Sequence, residues 1–218
     1  MARPKLPRKS TNIDMTAMCD VAFLLLTFFI LATQFKPAEA VEVVPPGSVS
    51  NKPAPQKDFF NVTISKDNKV FIDMDESMKA DVLEAVAKQR NLTFSEEDIA
   101  AFRMSTFVGV PLSQLNQFTR LTPEQIGKAE FAGIPTDSTN NELLSWVTAA
   151  VNVSQGKKVN FLIKGDNTSM YTTFKNVIES FKKNDIYKYN LVTAAEDVPE
   201  GSELYKKNLA GLMGTAED

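Results

Sequence analysis

One segment of this chain is apolar over the length of a membrane, and within it lies a single charged residue, Asp20. The segment covers residues 15–35, and between residues 21 and 32 its only polar side chain is that of Thr27. Because an α-helix rises about 1.5 Å per residue, such a segment spans roughly one hydrocarbon core. A carboxylate at that depth costs about 2.5–3.5 kcal/mol or more. The pattern therefore predicts a transmembrane helix in which Asp20 serves proton or ion movement.

Polar residues follow one face of this predicted helix. At about 100° per residue, Thr16, Asp20, Thr27 and Gln34 all fall within about 40° of one direction. Asp20 is therefore expected to carry the proton, with Thr16, Thr27 and Gln34 as polar interface residues along its path. Threonines in membrane helices also bond to their own backbone, which is the alternative interpretation for Thr27. That alternative does not account for Asp20.

Charge is divided unevenly along the chain. Residues 1–13 carry four basic side chains and no acidic one, whereas residues 37–218 carry 19 basic and 25 acidic side chains. Basic residues before an apolar helix predict a cytoplasmic N-terminus, with the part after the helix on the other side of the membrane. An acidic domain is not typical of nucleic-acid binding, so no nucleic-acid partner is expected.

Catalytic and metal-binding signatures are lacking in the sequence. There is no histidine, and the single cysteine, Cys19, lies in the apolar segment. Histidine-based catalysis, His-ligated metal sites and an intrachain disulfide are therefore excluded. Asp73, Asp75 and Glu76 cluster after a predicted strand, where a solvated turn is favoured over a metal site. No phosphate loop, zinc spacing or nucleophile elbow occurs. We expect no enzyme activity, no metal and no cofactor.

The first 40 residues also share features with a secretory signal. They have a basic start, an apolar core and the sequence Ala38-Glu39-Ala40, which fits a cleavage site. However, Asp20 interrupts the core, and the apolar stretch is longer than the roughly 7–15 residues of a signal. A retained helix is favoured. A periplasmic binding protein released by cleavage is the alternative.

The sequence after the apolar segment predicts an α+β domain. Five prolines in residues 37–57 indicate an extended linker, and within it the run 41–44 is β-prone. Two further β-prone runs flank the turn-forming residues 65–68 and predict a β-hairpin. Helical patterns and later strands follow, with helices at residues 78–90, 95–104, from 122, 142–153 and 169–183, and strands at residues 158–164 and 188–193.

These assignments divide the chain into consecutive parts: a basic tail (1–13), a transmembrane helix (14–36), the linker (37–57), an α+β domain (58–195) and a C-terminal tail (196–218). Residues 75–140 follow the predicted hairpin and, by the family resemblance given below, form a helical insertion in the domain. The favoured interpretation is that it covers apolar sheet or partner surface, and a dedicated partner-docking module is the alternative. Gly165 and Asp166 are expected to form a strand-to-helix turn and cap.

Residues 13–33 resemble the signature of the ExbD/TolR biopolymer-transport family. They contain the amphipathic lead, the threonine, the essential aspartate at Asp20 and the following run of Leu and Phe. Ala17 stands where the family usually has Pro, and Cys19 where it has Val or Ile. Residues 40–46 are similar to the family's short extended motif that ends in Pro. Later segments resemble its strand–Asp–Tyr–helix unit and its closing strand: residues 159–166, Tyr171 with the helix through Phe181, and residues 189–193.

The resemblance implies a single-pass subunit of the cell inner membrane, with a periplasmic C-terminal domain. Such a subunit couples the proton motive force to TonB-dependent outer-membrane transport. It implies an ExbB/TolQ-like channel protein, in the form of a pentameric ring, a second copy of this chain, a TonB-like protein and membrane lipid as partners. A TolR-like role in envelope integrity is the other output, and the sequence does not distinguish the two.

The linker run is the expected partner-binding segment outside the membrane. It is predicted to add as a strand, either to the sheet of a second copy or to an incoming partner peptide. The proline pair at residues 45–46 is expected to end this pairing, because proline lacks a backbone donor. The segment consists of Val41, Glu42, Val43, Val44 and Pro45.

Overall fold

A computed structural model describes residues 15–32, 41–50, 52–126, 129–137, 140–154, 158–203 and 205–206. The chain separates into two compact units, Met1–Pro37 and Ala38–Asp218. The described part of the first unit is helix α1 (Met15–Ala32). Among the described residues, α1 is the one helix long and apolar enough to cross a membrane, by length and composition.

The second unit is built on a mixed four-stranded sheet with the strand order β3-β2-β4-β5. Its central pair, β2 and β4, is parallel over six residues, while β2 and β3 form an antiparallel hairpin. β4 and β5 are parallel, as expected for strands joined by a helix. The strands are β2 (Phe59–Ile64), β3 (Val70–Met74), β4 (Asn160–Gly165) and β5 (Asn190–Leu191). The predicted α+β fold with an apolar N-terminal helix is confirmed.

A second, two-stranded sheet joins the end of the linker to the end of the domain. Strand β1 (Gly47–Ser48) runs parallel to β6 (Ala194–Ala195). The sheet is extended by a bond from the Ala194 N–H to the Pro46 carbonyl, with the two atoms 3.0 Å apart. The linker is therefore fastened to the domain beyond its proline pair.

Local sequence accounts for where the helices begin. Asp75 accepts from the Ser77 N–H at the start of α2, and Ser95 with Asp98 forms a capping box at the start of α3. Asn141 caps α6 by accepting from the Leu144 N–H. The helices are α2 (Glu76–Arg90), α3 (Glu96–Met104), α4 (Leu115–Phe118), α5 (Pro123–Ile126), α6 (Glu142–Val153) and α7 (Tyr171–Lys182), with a 3₁₀ turn at Leu112–Gln114.

The hydrophobic core includes side chains from the 75–140 segment. Phe102 on α3 and Trp146 on α6 are both buried, and their rings stack with centroids 6.0 Å apart. Phe107 and Phe118 form a further aromatic group with Phe131, at centroid distances of 5.5–6.3 Å. The segment therefore shares one core with the sheet domain.

The same segment covers the β3 edge of the sheet. Ile72 and Val108 exchange two backbone hydrogen bonds of 2.8 Å, and the Ile134 N–H donates to the Val70 carbonyl at 2.8 Å. An unpaired sheet edge is a template for pairing with other chains. The backbone groups of Val108 and Ile134 form hydrogen bonds with this edge, so the β3 edge is closed to a partner strand.

The Phe102–Trp146 stack provides a test of this packing. Phe102→Ala should lower the free energy of unfolding by about 3–5 kcal/mol, because it empties a buried aromatic site. Met104→Ala on the same helix should change it by less than about 0.5 kcal/mol, since Met104 is 77% exposed. Urea unfolding of the detergent-solubilised chain, followed by circular dichroism, measures both. Equal losses in the two variants would contradict the placement of Phe102 in the core.

Candidate functional site

Helix α1 carries one carboxylate among apolar side chains. Its 18 residues correspond to roughly 27 Å of helix, close to the thickness of a hydrocarbon core. Thr16, Asp20 and Thr27 are spaced so that they share one face. The Asp20 carboxylate is exposed and has no hydrogen bond or ion pair within the described ranges. In a membrane such a group needs a proton, water or a partner from another chain.

The hydroxyl of Thr27 has a structural role within α1. Thr27 Oγ1 donates to the carbonyls of Phe23 and Leu24, with oxygen–oxygen distances of 3.0 and 2.9 Å. This is the backbone bonding expected of threonine where no water is available. Gln34, the last predicted polar residue of the stripe, lies outside the described residues.

The linker run at residues 41–44 lies against the folded domain but does not form a strand. The Val43 side chain is buried in the domain, at 7% exposure, whereas Val44 is 67% exposed. The Val44 N–H donates to Asp166 Oδ2 at 3.0 Å, and the Asn167 N–H donates to the Val44 carbonyl at 3.0 Å. These contacts of Val44 with Asp166 and Asn167 form what we call the linker clamp.

Asp166 uses both of its carboxylate oxygens. Oδ1 accepts from the Thr168 N–H at 2.9 Å and from the Thr168 hydroxyl at 2.6 Å, while Oδ2 binds Val44. These hydrogen bonds, those from Thr168 first, hold the pKa of Asp166 below its ordinary value of 3.8. The carboxylate is therefore ionised at neutral pH.

The predicted role of Asp166 as part of a turn is incomplete. It does form the turn after β4, but α7 begins later, after Met170, which provides no side-chain cap. The second oxygen of Asp166 instead reaches a residue 122 positions earlier in the chain. No local pattern signals such a contact, so the sequence did not identify Asp166 as a linker-binding residue.

The prediction that the proline pair ends strand pairing is wrong. Pairing begins immediately after it, at β1, and the Pro46 carbonyl accepts the first bond. Proline lacks a donor, but its carbonyl remains free to accept. Of the other predicted partner-binding residues, Glu42 is exposed, and Val41 and Pro45 are partly buried.

The acidic cluster at residues 73–76 has a structural role. Asp75 caps α2 and also accepts from the Asp58 N–H at 2.8 Å. Asp73 lies on β3 rather than in a solvated turn, and burial raises its pKa to about 6 against the opposing charge of Lys79. The Lys79 ammonium donates to the Ser105 carbonyl at 2.6 Å. Within the described part of the chain, no group of acidic or cysteine side chains is arranged to hold a metal ion.

Comparison with known proteins identifies a family for the first part of the chain. A family model described as ExbD, biopolymer transport protein ExbD/TolR, matches residues 7–102. The matched range contains Asp20 and the linker run and ends within the 75–140 segment. Asp166 and the later strands lie beyond it. No curated protein and no solved structure was found to match the chain.

The linker clamp can be tested with Asp166→Asn. The amide replaces one carboxylate oxygen by a donor, so an NH₂ group must face the N–H of either Val44 or Thr168. We expect faster hydrogen–deuterium exchange at Val44 in the variant. Asp67→Asn, at an exposed turn position, should leave this exchange unchanged. Exchange followed by mass spectrometry of peptides covering residues 41–50 measures the difference.

The clamp also has a defined pH dependence. Because the pKa of Asp166 is lower in the folded state, its contribution to stability is fully present above the unfolded value. It is lost as the pH falls through the lower folded-state pKa. Corrected for intrinsic rates, wild-type protection at Val44 should therefore persist from neutral pH to below 3.8. Equal exchange in wild type and Asp166→Asn at neutral pH would contradict the clamp.

Proposed function

Because this chain belongs to the ExbD/TolR family, we propose that it is the proton-carrying, single-span subunit of an inner-membrane motor. The family is a non-enzymatic transport family whose members act in energy transduction for biopolymer transport. The observation that carries the proposal is the lone carboxylate of Asp20 in an otherwise apolar helix of membrane-spanning length.

Proton uptake and release by Asp20 is the step that drives movement of the helix in this proposal. A neutral carboxyl group tolerates an apolar contact, whereas an ionised one requires water or polar partners. Proton uptake from one side and release to the other therefore changes which surroundings the helix prefers. Each proton that crosses supplies roughly 2.3 kcal/mol per 100 mV of membrane potential. Alternate protonation thus shifts or turns the helix against its neighbours.

Charge and family support the proposed orientation and partners. The basic residues before α1 favour a cytoplasmic N-terminus and a periplasmic second unit. The neighbours of α1 are an ExbB/TolQ-like channel ring and a second copy of this chain. The output passes to a TonB-like protein that serves outer-membrane transport. Co-purification from intact membranes distinguishes this output from a TolR-like one. A TonB-like protein should co-purify if the chain serves outer-membrane transport, and a Tol-type partner should co-purify if it has a TolR-like role.

The linker clamp suggests how movement reaches the domain. Val44 is held by Asp166 and Asn167, and Pro46 is held by Ala194. A force that α1 exerts on the linker would therefore act on the turn after β4 and on β6. Release of the clamp would free the β-prone run at 41–44 for strand addition to a second copy or a partner peptide.

Asp20→Asn tests the proton-carrying role. Asparagine keeps the size and polarity of the side chain but cannot cycle a proton, so transport driven by the proton motive force should be abolished. Insertion and complex assembly should remain. Uptake through an outer-membrane transporter, measured in cells that lack the native copy, provides the assay.

Asp14→Asn is the matched control for this experiment. Asp14 lies outside the described residues. At about 100° per residue, the sequence predicts that it falls about 120° from Asp20 and nearer the cytoplasmic end. It should retain most of the activity. Wild-type transport by Asp20→Asn would contradict the proposal. So would a mature protein whose mass shows that the first 40 residues have been removed, which is the outcome for a secreted binding protein.

Partner contact by the linker run can be tested by cysteine crosslinking in a Cys19→Ser background. Glu42 and Val44 have exposed side chains, so Glu42→Cys and Val44→Cys should crosslink to a second copy or to a TonB-like protein when the motor is energised. Val43→Cys should crosslink poorly while the clamp is closed, because that side chain is buried. If none of the three forms a crosslink in energised cells, the segment is only a spacer.

A further inference from the structure

A cavity of about 570 Å³ opens where β4 and β5 begin. The two strands are parallel, so their first residues meet at the same end of the sheet. Phe161 is buried in the wall of the cavity, and Tyr187 and Tyr189 lie along it. Its volume is within the range of about 300–1,000 Å³ typical of ligand sites.

Three lysines line this cavity, and together they give it a strong positive charge. They are Lys52, Lys158 and Lys188, from three separate segments, and all three are exposed. None forms an ion pair within 4.0 Å in the described part of the chain, and no described acidic residue lines the cavity. Residues 37–218 carry more acidic than basic side chains. The cluster of three lysines is therefore a local positive patch on an acidic domain. Such a patch attracts anionic partners.

The neighbouring sheet edge indicates what kind of anion fits. β5 is the last strand of the sheet, and no described strand pairs with its outer side. Asn190 and Leu191 are exposed, and Asn190 lines the cavity. The opposite edge, β3, is covered by Val108 and Ile134. A free strand edge offers backbone hydrogen bonds to an extended polypeptide, which a polysaccharide cannot match.

We propose that this lysine-lined cavity and the adjoining edge of β5 form a docking site for an extended acidic segment of a partner polypeptide. The partner backbone adds beside β5, and its carboxylates lie against Lys52, Lys158 and Lys188. In an extended strand alternate side chains point to the same side, so acidic residues at every second position face the lysines. This site is separate from Asp20 and does not depend on the proton-carrying role.

A fluorescent peptide of alternating glutamate and valine is the probe, titrated into the detergent-solubilised full chain and followed by anisotropy. Binding should weaken as salt is added, because exposed charges are screened. The triple variant Lys52→Gln, Lys158→Gln, Lys188→Gln should bind about tenfold more weakly, as expected for the loss of three exposed charge contacts. A peptide of alternating glutamine and valine should bind much more weakly than the glutamate peptide.

The matched control removes the same charge elsewhere. Lys88→Gln, Lys175→Gln and Lys206→Gln together should leave the affinity within about twofold of wild type, since these exposed residues are not in the cavity lining. An equal loss in both triple variants would overturn the site in favour of net charge alone. Unchanged binding by the cavity variant would also overturn it. Polygalacturonate, an acidic polysaccharide, should compete weakly; competition at lower concentration than the peptide would show that the partner is a glycan.

Discussion

The parallel pairing of β2 with β4 is the interaction on which the second unit depends. The two strands are aligned over six residues although almost a hundred residues separate them in the chain. Parallel neighbours require a crossover connection, and here that connection includes β3 and the helices from α2 to α6. Phe60 lies opposite Phe161 in the second of the six aligned pairs, and the centroids of their rings are 5.8 Å apart.

This register also positions the linker clamp. Gly165 is the last residue of β4 and lies opposite Ile64, and the next N–H, that of Asp166, donates to the Ile64 carbonyl at 3.0 Å. The carboxylate that holds Val44 is therefore fixed by the central strand pair. A slip of one residue would turn Asp166 away from the linker.

Asp20 and Asp166 lie in different surroundings, and we propose different roles for their two carboxylates. Asp166 accepts several hydrogen bonds, which lower its pKa and keep it ionised at neutral pH. Because it stays ionised at neutral pH, Asp166 continues to accept the hydrogen bond from Val44 there. Asp20 accepts no such hydrogen bonds from the described residues. In the proposed motor, the membrane carboxylate responds to protons while the clamp transmits the result.

Features that depend on neighbouring residues could be predicted from the sequence. The hairpin follows from the turn at residues 65–68, where Asn68 adopts a left-handed conformation, and α3 follows from its capping box. Asp20 stands out because a charge in an apolar run is rare. The contact of Asp166 with Val44 joins distant segments and has no local signal. The β1–β6 pair was also missed, because Gly47, Ser48 and the two alanines have low β-propensity.

Infrared difference spectroscopy of Asp20 in the assembled complex tests the central claim most directly. The chain is reconstituted in vesicles with its channel protein, and the medium facing the second unit is acidified. Our account predicts a carboxylic acid carbonyl band that appears on acidification, disappears when the pH is restored, and is missing when residue 20 is asparagine. If the difference spectra of wild type and Asp20→Asn are the same, Asp20 does not take up the proton, and the account is contradicted.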